Sequence, residues 1–211
     1  MQKQAETEVS VKRQIAFPLA FICILIARKH SKFIDILVGR FMDRCPYLLC
    51  LSKATSTDTK EMNKEELGYI RDDEGIWEQD FLYEERMSGV VALYAALTQS
   101  RIGSTGNPDG FTLEDAWRWL SIHLNRQPVF FILYKTRVVP LLIHAFLEIC
   151  GARLMEVYKS QTCKIVTYVL EEYVPGCLAL KIAEASITRL QLFVEESSKG
   201  FRPYQGSILE K

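Results

Sequence analysis

The sequence predicts an all-α domain, either HEAT-repeat-like or an irregular helical-repeat (α-α) superhelix. Three observations carry this. Apolar residues recur at helical spacing through most of the 211 residues. The helical stretches run roughly 12–24 residues and are joined by short breaks, as in stacked helical pairs. The composition, 48% hydrophobic and 25% charged, can bury one large core. A compact bundle is the alternative, since no repeat with a fixed motif is visible.

Taken in order, residues 17–29 read as a very apolar helix with Pro18 in its first turn, where proline is tolerated. Residues 31–44 form the next helix. Ser31 is its candidate N-cap, and Ile34, Leu37, Val38 and Phe41 make its buried stripe. Pro46 ends it. Residues 51–63 are polar and read as a loop. "KEELGYI" reads as a short helix and "RDDEG" as a charged turn. Trp77 to Ser100 reads as one long helix, polar at its start and almost wholly apolar at its end, so its last turns are expected to be deeply buried. Residues 101–111 form a glycine-rich loop. "TLEDAWRWLSIHL" follows, with Thr112 as N-cap and Asp115 at the reciprocal position of a capping box. Helices over 138–159, 161–174 and 180–197 complete the chain, with "VPGC" breaking the last two. Residues 128–140 do not fit. They are β-branched, aromatic and closed by prolines, which predicts a strand or an insertion packed across helices.

The charge balance, 26 basic against 26 acidic residues, argues against direct nucleic-acid binding. The most apolar run, Ile15 to Ala27, is too short to span a bilayer and contains Pro18, which predicts a core helix and no membrane insertion. "KQAETEVSVKRQ", ahead of it, does not read as a leader. Six cysteines at 23, 45, 50, 150, 163 and 177 form no C-x-x-C, and His30, His123 and His144 have no zinc-site spacing. Buried reduced thiols and no metal are expected.

No catalytic signature links the Ser, Cys, His and Asp residues. The paired glutamates read as solvated helix faces, and His123 and His144 as hydrogen-bonded core residues. Trp117 and Trp119, two apart, cannot share a helix face, so one is expected in the core and the other at a packing contact or partner surface. An enzyme is not predicted. What remains is "GRFMDRCPY". Arg40 and Arg44 emerge along one rim of the helix over 31–44. Two readings stand. Cations in a last helical turn offset the macrodipole by ~0.3–1 kcal/mol. Two guanidiniums on one rim can also hold a phosphate bidentately. Asp43 lies between them and can pair locally.

The stretches "KQAETEVSVK…AFPLA", "GRFMDRCPY", "LGY", "RMSGVVALYAAL", "AWRWL", "FLEICGARLMEVY" and "SITRLQLFVEE" occur in one order from Lys3 to about Glu196. In that order they resemble the C-terminal domain of the nucleoporin GLE, of the GLE-like RNA export mediator family. The resemblance implies a HEAT-like helical domain at the cytoplasmic face of the nuclear pore complex, with no active site of its own. It implies binding and ATPase stimulation of a pore-associated DEAD-box RNA helicase, with inositol hexakisphosphate as the bridging ligand. Further nucleoporins and translation initiation and termination factors are implied as partners. Arg40 and Arg44 match basic positions of the ligand site, and Lys3 is a further candidate. Asp43 departs from the pattern, because a basic residue is usual there, and is expected to weaken the ligand. A helical-repeat scaffold without ligand binding or helicase activation is the alternative. The resemblance further implies that residues 1–211 are a single domain that starts inside the family's domain. That would leave the "SVKRQIAFPLAF" side as an uncovered apolar patch.

Overall fold

The computed structural model describes residues 2–48, 64–65, 67–100, 111–125, 138–181 and 183–204. Its helices are α1 (Gln2–Gln4), α2 (Ala16–Lys29), α3 (Lys32–Arg44), α4 (Asp80–Gln99), α5 (Leu113–Asn125), α6 (Val139–Tyr158), α7 (Ser160–Tyr168), α8 (Val174–Ala179) and α9 (Glu184–Ser197). Two π-helical stretches, Ala5–Val9 and Val169–Tyr173, and a 3-10 turn at Arg13–Ile15 join them. Among the described residues there is no strand, only an isolated antiparallel bridge between Arg71 and Trp77. The all-α expectation is borne out.

Helix α4 is the axis. Every residue from Arg86 to Thr98 is buried, which explains why its second half has no polar face. Helices α2, α5, α6 and the first π-stretch all pack on it, and α9 packs on α6. Helices α2, α4, α5 and α6 thus pack on partners one or two places along the chain, as in a stack of helical repeats. Gln99 Nε2 donates to the Ile149 carbonyl at 2.8 Å and ties α4 to α6.

Several local expectations hold. Leu37 and Phe41 are buried, with Ile34 and Val38 packed half-buried beside them. The capping box forms: the Thr112 amide donates to Asp115 Oδ2 at 3.0 Å, and the Asp115 amide donates to Thr112 Oγ1 at 3.2 Å. Trp119 is in the core, stacked 4.4 Å from Phe146, while Trp117 lies half-buried against Tyr158. Cys23, Cys45, Cys150 and Cys177 are buried as expected, whereas Cys163 is exposed. No described helix is long and apolar enough to cross a membrane.

Other expectations are corrected. Ser31 makes no capping bond, because it already has helical backbone angles. "KEELGYI" gives turns at its described positions, since Gly68 sits at φ +84 where a helix cannot continue. The long helix starts at Asp80 rather than Trp77, because Trp77 pairs with Arg71 and the Glu78 amide donates to the Ile70 carbonyl. "VPGC" is not a break. It opens α8, and the chain turns at Lys181 and Ala183, both left-handed. Pro175 has no amide to give to the turn before it, and that turn is widened to a π-turn. Val139 and Pro140 begin α6, with the proline in the first turn, so the strand expected over 128–140 does not reach them. Residues 128–137, and the expected loops at 51–63 and 101–110, lie outside the described residues. The side expected to be an uncovered apolar patch is mostly covered: Ala16, Phe17 and Ala20 are core residues, and Val11 is exposed.

The two histidines expected in the core are both half-buried, and they behave differently from each other. His123 Nδ1 bonds the Trp119 carbonyl at 2.9 Å. His144 sits edge-on to Phe193, and burial, with Arg189 and Arg13 adding, pushes its imidazole down to about 4. The unfolded chain therefore takes up this proton near pH 6.5 while the folded chain resists it. The His144 contribution is complete above pH 6.5 and is lost as pH falls toward 4, by on the order of 3 kcal/mol at most. Equilibrium unfolding from pH 7 to 4 is expected to show a steeper loss for the unaltered chain than for His144→Phe. Parallel profiles would refute this. Glu148, held above the usual carboxylate range by burial, contributes a slope of opposite sign, and the difference between the two chains cancels it.

Candidate functional site

The candidate site gathers at the C-terminal end of α3. Arg40 is exposed, and the Arg44 side chain is 38% exposed, so both lie on the rim that their spacing predicts. Asp43 is exposed between them, and its Oδ2 is 3.5 Å from Arg44 Nε. That contact is an ion pair without a hydrogen bond, since Arg44 Nε is buried and unbonded. The side chains of Lys3, Arg40 and Arg44 give no hydrogen bond to any described residue.

The helix end itself is built from below. The Cys45 amide donates to the Phe41 carbonyl at 2.8 Å, closing the last turn. The following Pro46–Leu48 turn is drawn into the core. Trp119 Nε1 donates to the Tyr47 carbonyl at 3.0 Å. Tyr83 Oη donates to the Leu67 carbonyl at 2.9 Å, so in the 2.8 Å Tyr47–Tyr83 pair Tyr47 is the donor. Burial pushes both phenols well above the usual tyrosine range and the Cys45 thiol up to about 12, so none of the three ionises at neutral pH.

Sequence reasoning missed Arg86. It is buried in the middle of α4 and reaches three separate segments. Its Nη1 donates to the Arg44 carbonyl at 3.2 Å and its Nη2 to the Gly68 carbonyl at 2.7 Å. It also forms a two-pronged pair with Glu78, through Nε at 3.2 Å and through Nη2. Glu78 Oε1 takes a further bond from the Ile70 amide at 2.9 Å, and Tyr69 stacks on Tyr83 at 3.8 Å beside it. Arg86 therefore holds the segment around Gly68–Gln79 against the end of α3.

This settles one half of the question posed by "GRFMDRCPY". A buried guanidinium on the Arg44 carbonyl already offsets the negative end of the α3 dipole. Arg40 and Arg44 are not needed for that task; Arg44 is in a loose ion pair with Asp43, and Arg40 is exposed. The signal for Arg86 was a lone arginine at the edge of the apolar run "MSGVVALYAAL", which must be paired if buried.

Lys3 is carried by α1, which packs against α3. Lys3 is exposed, and the Thr7 hydroxyl donates to its carbonyl at 2.8 Å. What seats this segment is Gly89. A Cβ there would lie 2.2 Å from the Ala5 carbonyl oxygen and 3.0 Å from the Ser10 amide nitrogen, so the backbone of α4 touches the backbone of the N-terminal segment. The three predicted residues are thus carried by touching elements, with Asp43 among them. The exposed cations Arg28, Lys29 and Lys32 sit at the other end of the α2–α3 pair, one α3 length or ~18 Å away. No group of three metal-ligating side chains occurs among the described residues.

Comparison with known proteins fits this architecture. The family model described as GLE1-like protein matches residues 2–170. The mRNA export factor GLE1 of Rattus norvegicus is 33% identical over 200 residues, which cover 92% of this chain and 28% of that protein. The mRNA export factor GLE1 of Saccharomyces cerevisiae is 25% identical over 194 residues, covering 90% and 34%. The chain thus spans about a third or less of these relatives. Among solved structures, Gle1 from S. cerevisiae, bound with IP6 to the C-terminal domain of a Dbp5 variant, superposes with a TM-score of 0.80 at 22% identity. It covers 96% of this chain and 68% of that one. The helices beyond residue 170 continue the same stack, since α9 packs on both α6 and α8. With the matched region covering most of the helices and the fold shared, the chain belongs to the GLE1-like protein family.

Proposed function

We propose that this domain serves mRNA export at the nuclear pore complex by binding a DEAD-box RNA helicase and stimulating its ATPase cycle. Inositol hexakisphosphate is the bridging ligand in this reading, held at Lys3, Arg40 and Arg44. The domain is then an activator without chemistry of its own, acting at the cytoplasmic face, with other nucleoporins and translation factors as further partners. Membership of a family of mRNA export factors supports the process, and the solved Gle1 complex with Dbp5 and IP6 supports the partner and the ligand. One observation carries the site: two cations, with no side-chain hydrogen bond to the described residues, at a helix end whose dipole Arg86 already offsets, and a third cation on an element that touches that helix. Such cations fit a polyanion, because phosphate oxygens accept from guanidinium forks that have no closer partner.

Asp43 limits the fit and favours a second reading, a helical-repeat scaffold that binds the helicase weakly or not at all. It is exposed, 3.5 Å from Arg44, and repels every phosphate brought to the rim. Calorimetric titration with inositol hexakisphosphate at moderate salt separates the readings. Binding weaker than nanomolar is expected, and Asp43→Asn is expected to tighten it about tenfold, equivalent to about 1.4 kcal/mol. Nanomolar binding that Asp43→Asn leaves unchanged would show that Asp43 does not oppose the ligand. Helicase ATPase assays with this domain complete the test. An absence of stimulation at any inositol phosphate concentration would select the scaffold.

A further inference from the structure

A second candidate site is built from elements other than α3. A cleft of about 380 Å³ opens between α6, the end of α9 and the segment Gly200–Tyr204. Its size suits a small ligand or one anchored side chain. Its wall is built rather than accidental. Phe201 is seated on α6 where Gly151 leaves room, since a Cβ there would lie 2.6 Å from the ring. Tyr204 packs on Phe17, 6.0 Å between ring centroids. The segment is therefore clamped at two points, and Phe193 meets Phe201 at 5.9 Å to add a third aromatic wall.

Charge decides what such a cleft takes. Glu148 lines it with its side chain only 24% exposed. Its one ion pair is Arg13 Nε at 3.8 Å from Oε2, too long for a hydrogen bond. Arg13 spends its other nitrogens elsewhere, on Ser88 Oγ at 2.8 Å and the Val9 carbonyl at 3.3 Å. Glu148 accepts no hydrogen bond from the described residues. A half-buried carboxylate in that condition lacks donors, and burial accordingly holds its carboxyl above the usual range. Exposed Glu196 adds a second acid to the lining beside Arg202, and Arg13 and Arg189 both favour the charged form of Glu148.

We propose that this cleft binds a guanidinium group, with Glu148 and Glu196 as its acceptors and Phe193, Phe201 and Tyr204 as its stacking walls. A guanidinium fits better than an ammonium, because its planar face stacks on aromatic rings and its fork matches a carboxylate. An arginine side chain of a partner and free arginine share this chemistry. The site is independent of the basic rim on α3, and its existence does not depend on the role proposed for that rim.

The test is ligand-observed NMR and calorimetry on the whole chain with three probes: N-acetyl-arginine amide, the neutral isostere N-acetyl-citrulline amide, and free arginine. A capped alanine heptapeptide with a central arginine is the fourth. Binding of the arginine probes, with citrulline at least tenfold weaker, is the expected result. Glu148→Gln is expected to weaken the arginine probes at least tenfold. Because that change also removes the partner of Arg13, Glu196→Gln serves as the exposed variant, expected to weaken binding about threefold with the melting temperature unchanged. Tighter binding of the capped peptide assigns the site to a protein segment, and tighter binding of free arginine assigns it to a small molecule. Equal binding of citrulline, no binding of any arginine probe, or no effect of Glu196→Gln would overturn the proposal.

Discussion

Arg86→Ala is expected to lower the stability of this domain by about 3–5 kcal/mol, the cost of breaking a buried pair by removing one partner. The figure follows from what is left behind. Glu78 would stay largely buried, its side chain 15% exposed, with its charge uncompensated. The Arg44 and Gly68 carbonyls would lose their donor at the same time. For a chain of this size the melting temperature would fall by about 10 °C. The loss is expected to be local before it is global. The Gly68–Gln79 segment would come off the α3 end first, because Arg86 is the residue that joins them. Limited proteolysis at Arg71 and hydrogen exchange over 67–79 would report it. Arg86→Lys tests the geometry apart from the charge. A lysine retains the cation but cannot serve a forked carboxylate and two carbonyls together, so an intermediate loss is expected. In a double-mutant cycle Glu78→Gln with Arg86→Met should cost less than Arg86→Ala alone, since no charge is then stranded. A loss under 1 kcal/mol for Arg86→Ala would mean that the pair is not what holds this end of the domain together.

What could be read from the sequence divides along a physical line. Features decided by neighbours three or four residues away were legible. The Leu37 and Phe41 stripe, the Thr112–Asp115 box and the division between Trp117 and Trp119 are of this kind. So was the rim position of Arg40 and Arg44, because 100° per residue places it without any tertiary contact. Features decided by distant segments were not. Arg86 meets its partners 42, 18 and 8 residues away, so its place at the edge of an apolar run marks that it needs partners but not which ones. The helical reading of "KEELGYI" failed for the same reason. Tyr69 is spent on Tyr83 rather than on a helical face of the segment's own, and Gly68 takes a left-handed turn. "VPGC" misled because proline and glycine together usually signal a break. Here the proline opens a helix, and residues that carry no such signal, Lys181 and Ala183, make the turn.

Two glycines on neighbouring helices are expected to respond to the same substitution with opposite signs, and the N-terminal half of the candidate site depends on one of them. In α3, Gly39 is exposed, and a Cβ there meets nothing within 4 Å. Gly39→Ala should therefore stabilise the domain by about 0.5–1 kcal/mol, the difference in helix propensity. Gly89→Ala gains the same propensity but places its Cβ 2.2 Å from the Ala5 carbonyl oxygen. The obstacle is backbone, not the end of a flexible side chain, and the amide and Cα of Ser10 stand at 3.0 and 3.2 Å behind it. The N-terminal segment must therefore move off α4. Overpacking of this kind costs about 1–3 kcal/mol, which exceeds the propensity gain. Movement of that segment also carries away Lys3, the first of the three cations, and leaves Arg40 and Arg44 without a third partner on α1. The expected signature is destabilisation, loss of exchange protection over residues 5–15, and weaker inositol hexakisphosphate binding. Lys3→Ala should weaken the ligand to a similar degree while leaving stability and exchange protection intact. If Gly89→Ala stabilises the domain as Gly39→Ala does, the close approach of α4 to Ala5 is wrong. If Gly89→Ala loosens the segment but leaves the affinity for the polyphosphate unchanged, Lys3 does not belong to the site, and the rim of α3 must find its third cation elsewhere.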